Sequence, residues 1–253
     1  MKKIEQWVQV LLDNIQESLV EAHKNKICGL WYGDSGKKEE CGTGNILKYK
    51  NKFYILTCEH VATDFFRSNN AYIAFRDKTQ IHKDDLDYVD KDSNLDVALI
   101  SPRKDLQFND YFTIDDFEFI PDFSNRNLQG DAFFLFGFPA EYVDIENLRR
   151  DYTPLAYLTD LYSGREATEN ILYLNYPGSP DEVDISGPHE KLPEAFGLSG
   201  SLIFNVSKDI LDSGNVWDTS KSKIVAIQYA VSDKKYIVCG NTKCLNYLKP
   251  FTN

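Results

Sequence analysis

At 253 residues the chain is long enough to bury one large core or two small ones. A hydrophobic fraction of 42%, with 16 Phe and 15 Tyr, excludes a disordered chain. The 28 basic and 39 acidic residues leave a net charge of −11, a sign that repels nucleic acid and anionic membranes, so neither is expected as a partner.

The first element is an amphipathic helix over residues 3–23. Ile4, Trp7, Val8, Leu11, Leu12, Ile15 and Leu19 recur at helical spacing, with Gln6, Gln9, Asp13, Glu17 and Glu21 on the other faces and His23 on the polar side. Such a helix docks on the protein's own core, binds a regulatory protein partner, or blocks a cleft. Glu5, Gln6, Gln9 and Asp13 interrupt any signal-peptide apolar run, and no stretch reaches the length of a membrane span. The five cysteines are odd in number and scattered, which fits free thiols, so a cytoplasmic location is expected.

After a polar loop over 33–40 the helical period gives way to strands. Residues 44–49 and 52–57 flank Lys50 and Asn51 as a hairpin. Further strands are predicted at 72–75, 96–100, 132–137, 155–158, 171–174, 201–204 and 223–229. Many short strands separated by turn signals indicate an all-β sandwich or barrel. Two polar insertions, 140–153 and 205–222, are longer than a minimal barrel needs.

Three residues in one order carry the chemistry. His60 ends a strand-like run, Asp96 opens the apolar run Val97–Ile100, and Ser199 lies between Gly197 and Gly200. A serine hydroxyl needs an adjacent base to act as a nucleophile, imidazole exchanges protons near neutral pH, and a carboxylate fixes the imidazole tautomer. Gly197 suits an oxyanion hole, because glycine bends the chain so that its N–H and that of Ser199 face one point. Rival hydrolases fail on pattern. No histidine follows Ser199, as the order of an α/β-hydrolase would require, and no His-Glu-x-x-His occurs. A papain-like use of Cys28 with His189 lacks the upstream glutamine and the second cysteine. No phosphate loop or dinucleotide fingerprint is present.

The local sequences resemble those of trypsin/chymotrypsin-clan serine peptidases, in particular bacterial trypsin-like members. Thr57–Val61 resembles Thr-Ala-x-His-Val, Asp96–Ile100 resembles Asp-(Val/Ile/Leu)-Ala-Leu-(Leu/Ile), and Gly197–Ser201 resembles Gly-x-Ser-Gly-(Gly/Ser). Gly42–Gly44, Gly137–Pro139 and Ile224–Tyr229 are similar to three further stretches of that family. The resemblance implies a mainly β fold of two antiparallel six-stranded barrels behind the N-terminal helix. Residues 1–35 would be the helix and lead-in and 36–253 the protease domain, its barrels covering about 36–115 and 116–250. It implies Ser199 as nucleophile, His60 as general base, Asp96 as its orienter, and the N–H groups of Gly197 and Ser199 as the oxyanion hole. No cofactor and no metal are expected, and the partner is a protein or peptide substrate. Pro193, Glu194, Ala226, Gln228 and Tyr229 are the implied substrate-binding positions. There is no activation site of the Ile-Val-Gly-Gly kind, and Leu198 replaces the aspartate that would pair with a freed N-terminus, so zymogen cleavage is not expected. Pro193 replaces the aspartate needed to select Arg or Lys, and Ala226 replaces a glycine and would narrow the groove. A binding module that keeps the fold without cutting is the rival from another class.

Overall fold

The computed structural model describes residues 6–33, 40–77, 79–138, 143–144, 149–150, 155–176, 197–206, 218–232 and 236–241. Helix α1 (Gln6–His23) contains no glycine or proline and turns Leu12, Ile15 and Leu19 inward, as their spacing requires. Asp13, Glu17 and Glu21 stay exposed. The helix packs on the protein's own core and leaves these acidic residues, together with Val10, exposed.

The first sheet is built from β1 (Ile27–Gly33), β2 (Glu40–Tyr49), β3 (Lys52–Thr57), β4 (Asn70–Phe75), β5 (Gln80–His82), β6 (Leu86–Asp92) and β7 (Val97–Pro102), with α2 (Glu59–Arg67) inserted after β3. These strands run antiparallel in the order β5-β4-β1-β2-β3-β7-β6. The β2–β3 hairpin closes at Lys50 and Asn51, with φ of 46° and 63°, the left-handed pair that a two-residue type I′ turn demands. Strand β1 lies ahead of residue 36 yet occupies an inner position of this sheet.

The second half contains β8 (Ala132–Gly137), the short pair β9 (Val143–Asp144) and β10 (Arg149–Arg150), then β11 (Leu155–Thr159), β12 (Ile171–Asn175), β13 (Leu202–Val206), β14 (Lys223–Ser232) and β15 (Tyr236–Asn241). Six of these form an antiparallel sheet in the order β11-β8-β13-β14-β15-β12. Both sheets curl into half-barrels, the double-barrel architecture expected from sequence, with seven strands in the first and six in the second.

Alternation along β8 joins the two halves. Phe133 and Leu135 fill the interior of the second half-barrel, while Phe134 and Phe136 face the core shared with α1 and the first sheet. Burying each such ring contributes roughly 1.5–3 kcal/mol. The segment between β7 and β8 crosses the junction: Phe112 exchanges backbone hydrogen bonds with β2, and Glu118 N donates to Ile224 O of β14. His23, placed on the polar side by its sequence position, is instead buried at this junction. The helix ends where the chain passes between the halves, and its ring stacks on Phe204 at 5.0 Å, near Phe112 and Phe136.

Candidate active site

His60 lies in the first turn of α2, directly after β3, with Cys58 as the N-cap. Asp96 ends the turn between β6 and β7. There Asp92 Oδ1 accepts from Asn94 N at 2.8 Å and Leu95 N at 3.2 Å, tightening the turn, and Asp96 takes a φ of 51°. Aspartate tolerates this left-handed conformation better than most residues. The result brings Asp96 and His60 together at two points. Oδ1 accepts from the backbone N of His60 at 2.9 Å, and Oδ2 lies 2.6 Å from Nδ1. The proton therefore belongs on Nδ1, leaving Nε2 to accept one. The hydrogen bond that His60 donates to Asp96 raises the His60 pKa above its ordinary value; partial burial opposes this, and the charges of Asp96, Asp64 and Glu59 add to it.

Ser199 sits in a turn bent by two glycines with left-handed backbone, Gly197 at φ 88° and Gly200 at φ 97°. First-sheet side chains and amides hold this turn from outside. Thr43 N donates to Ser199 O at 2.8 Å, Thr43 Oγ1 to Gly197 O at 2.8 Å, and Asn45 Nδ2 to Gly200 O at 2.8 Å. A Cβ on Gly200 would lie 2.0 Å from Thr43 O, so no other residue fits there. Gln228 O closes the ring, accepting from Gly200 N at 2.8 Å and from Cys58 Sγ at 3.1 Å. One carbonyl thus ties the residue after Ser199 to the residue two before His60. Among the described residues, neither the N–H of Gly197 nor that of Ser199 has a hydrogen-bond acceptor, and Ser199 Oγ makes no hydrogen bond to His60.

The remaining sequence-derived positions divide. Ala226 is fully buried in the interior of the second half-barrel, so its methyl group faces the core. Gln228 is buried and acts through its carbonyl. Tyr229 is the extra residue in a bulge between β14 and β15, half-buried, its phenol pushed up to about 12 chiefly by burial, with Asp96 among its electrostatic neighbours. Pro193, Glu194, His189 and most of the two polar insertions lie outside the described residues. Cys28 is sealed in β1, and burial pushes its thiol up, which removes the papain-like reading. Cys58, His60 and Asp96 form a group whose donor atoms lie close enough to hold a metal ion. Sequence reasoning missed Thr43, Asn45, Thr57 and Cys58. For Thr43 and Asn45 the signal was polar side chains inside the largely buried strand β2, beside Gly42 and Gly44.

No protein-family model and no curated protein matches the chain. Solved structures do. A serine endoprotease from Yersinia pestis aligns with a TM-score of 0.53 at 15% identity, over 93% of this chain and 65% of that one. The HtrA-type protease AlgW aligns with a TM-score of 0.55 at 14% identity, over 93% and 63%. The fold is that of the chymotrypsin-like serine proteases. The protease domain of MamO from Magnetospirillum magneticum shares the chymotrypsin-like fold with a TM-score of 0.52 at 13% identity, over 91% of this chain and 97% of that domain. This chain spans slightly less than two thirds of the first two proteases, and the likeness to all three is one of fold. Among the described residues, no helix of this chymotrypsin-like chain is long and apolar enough to cross a membrane.

Proposed function

We propose that the protein is a serine endopeptidase acting on a protein or peptide substrate through a His60–Asp96–Ser199 triad. The observation that carries this reading is the double hold of Asp96 on His60, which leaves Nε2 as the free base of a ring on a protease fold. In acylation, Nε2 takes the Ser199 proton as Oγ attacks the scissile carbonyl. The negative charge passes to the carbonyl oxygen, where the N–H groups of Gly197 and Ser199 would receive it. The imidazolium then protonates the leaving amine, and an ester links Ser199 to the acyl fragment until water repeats the cycle. Asp96 keeps its negative charge throughout and is a positioning residue. The described cysteines Cys28, Cys41, Cys58 and Cys239 form no disulfide, which supports a reducing, cytoplasmic setting.

A second reading, a protease-fold binding module that does not cut, is favoured by one feature: Ser199 Oγ makes no hydrogen bond to His60. Such bonds are often long until substrate binds. Treatment with a fluorophosphonate and mapping of the adduct by mass spectrometry separates the two. The endopeptidase gives an adduct on Ser199 that is lost in Ser199→Ala and His60→Ala. Absence of any adduct on a folded wild-type protein overturns the reading in favour of the binding module.

A further inference from the structure

The strongest unused feature is Cys58, a thiol placed against the His60–Asp96 pair with no part in the acyl-enzyme reaction. One donor atom each from Cys58, His60 and Asp96 lie within 4.8 Å of one another. Cys58 is fully buried at the N-cap of α2. The side chains of His60 and Asp96 are 42% and 22% exposed, so the cluster is open to solvent on their side. We propose that these three residues form an inhibitory site for a thiophilic divalent cation of the zinc class. The inhibitory role rests on reading His60 and Asp96 as the catalytic pair; the binding site itself does not. Metal plays no part in the reaction proposed above, and here it acts only to stop it.

The donor set argues for that class of ion. Sulfur, nitrogen and a single carboxylate oxygen suit Zn²⁺, whereas Mg²⁺ and Ca²⁺ require oxygen ligands throughout. Tetrahedral zinc, with bonds of about 2.0–2.3 Å, spaces its ligand atoms roughly 3.3–3.8 Å apart. The His60 Nδ1–Asp96 Oδ2 pair, 2.6 Å apart, would therefore open by roughly 0.7 Å to admit the ion, while Cys58 Sγ leaves Gln228 O and closes on it. One thiolate and one carboxylate neutralise the two positive charges, which makes the bound state tolerable in a half-buried pocket. A water completes the tetrahedron.

Proton accounting explains the inhibition. The metal that joins Asp96 to His60 takes Nδ1, the ring nitrogen facing that carboxylate. The Cys58 thiol releases its proton to solvent on becoming a ligand. The neutral imidazole keeps one proton, which moves from Nδ1 to Nε2. Nε2 then carries a hydrogen where the reaction needs a lone pair, and Ser199 has no base.

The test uses ZnCl2 and the purified full-length chain under a non-thiol reductant, with affinity read by competition against a chromophoric zinc chelator. Wild type and Ser199→Ala are expected to take up one equivalent with equal affinity. Cys58→Ala and Cys58→Ser are expected to bind at least 100-fold more weakly, and millimolar MgCl2 to compete with neither. If Cys58→Ala melts far below the parent, His60→Ala supplies the same comparison. No competition by the wild type, or unchanged affinity in the Cys58 and His60 variants, overturns the site. A second readout follows fluorophosphonate labelling of Ser199, each protein compared with its own zinc-free rate. Zinc is expected to suppress labelling in wild type, a chelator to restore it, and the Cys58 variants to resist. Zinc bound without any change in labelling overturns the inhibitory role. Failure to label without zinc overturns the protease reading, and the competition experiment still decides the site.

Discussion

Thr43 N donates to Ser199 O at 2.8 Å, a bond that runs from the second strand of one half-barrel to the turn that carries the proposed nucleophile in the other. Thr43 adds a second tie through Oγ1, which donates to Gly197 O at 2.8 Å and accepts from Phe138 N at 2.9 Å. In the proposed peptidase each half-barrel would supply part of the chemistry, so the geometry of the site would depend on such cross-bonds. Thr43→Val keeps the shape and removes the hydroxyl, leaving the Gly197 carbonyl and the Phe138 amide buried and unpaired. Each orphaned group costs about 1–3 kcal/mol. The expected outcome is a lower melting temperature and slower fluorophosphonate labelling; unchanged labelling would show that the turn holds its shape without Thr43.

Gly200→Ala tests the same junction by steric means. The new Cβ would stand 2.0 Å from Thr43 O and 2.8 Å from Thr57 Oγ1, on a backbone at φ 97° that side chains rarely adopt. Strain of this kind costs about 1–3 kcal/mol before the clash is counted. Thermal denaturation should show a loss of at least that size, with labelling abolished. A variant as stable as the parent would contradict the close approach of the two halves.

The order of His60, Asp96 and Ser199 and their flanking sequences made the fold and the candidate triad legible, because each motif has a local cause: a strand end, a tight turn, a glycine-bent loop. The cross-links were harder to read. Thr43, Asn45 and Thr57 act on residues more than 150 positions away or across a sheet, and no local period signals such a partner. Strand β1 was overlooked because both its faces are buried, so it shows no alternation. His23 was misplaced for a related reason. A helical wheel assigns faces relative to one core, whereas the end of α1 enters a junction with apolar walls on several sides.

Asp96→Asn should separate orientation from charge. The amide can keep contact with the ring but supplies no negative charge and favours the wrong tautomer, a change worth on the order of 10⁴-fold in turnover in this chemistry. The pH profile gives the sharper reading. Catalysis needs neutral His60, and Asp96 raises its pKa, so wild-type labelling should fall as pH drops through a midpoint above 6.5. Loss of the carboxylate moves that midpoint down. A midpoint that does not move in Asp96→Asn would mean that the two side chains are uncoupled in solution.

Removal of residues 1–23 tests whether α1 restrains the site or builds the fold. Leu12, Ile15 and Leu19 are buried against the core, and the helix packs on β11 and the turn at Thr219–Lys221. Their loss removes roughly 5 kcal/mol or more, comparable with the whole stability of many domains. The truncated chain should therefore be unstable or insoluble, with no gain in labelling. A well-folded product that labels faster would instead identify the helix as a cleft-blocking element.

His23 should give the protein an acid-sensitive stability with a sign opposite to that of an ion-paired histidine. Both ring nitrogens are buried without a hydrogen-bond partner, and desolvation lowers the pKa to about 4, with the charge of Lys26 acting the same way and Asp116 opposing it. The folded state resists the proton that the unfolded chain accepts below about pH 6.5. Between those values the unfolded state binds more protons, so stability falls as pH drops from 6.5 towards 4, by roughly 3 kcal/mol in all. His23→Phe replaces the ring by one that stacks on Phe204 and carries no proton. Urea denaturation from pH 4 to 7 should show this component of the acid loss in wild type and not in His23→Phe. Equal pH slopes in the two proteins would show that His23 finds a proton acceptor in solution.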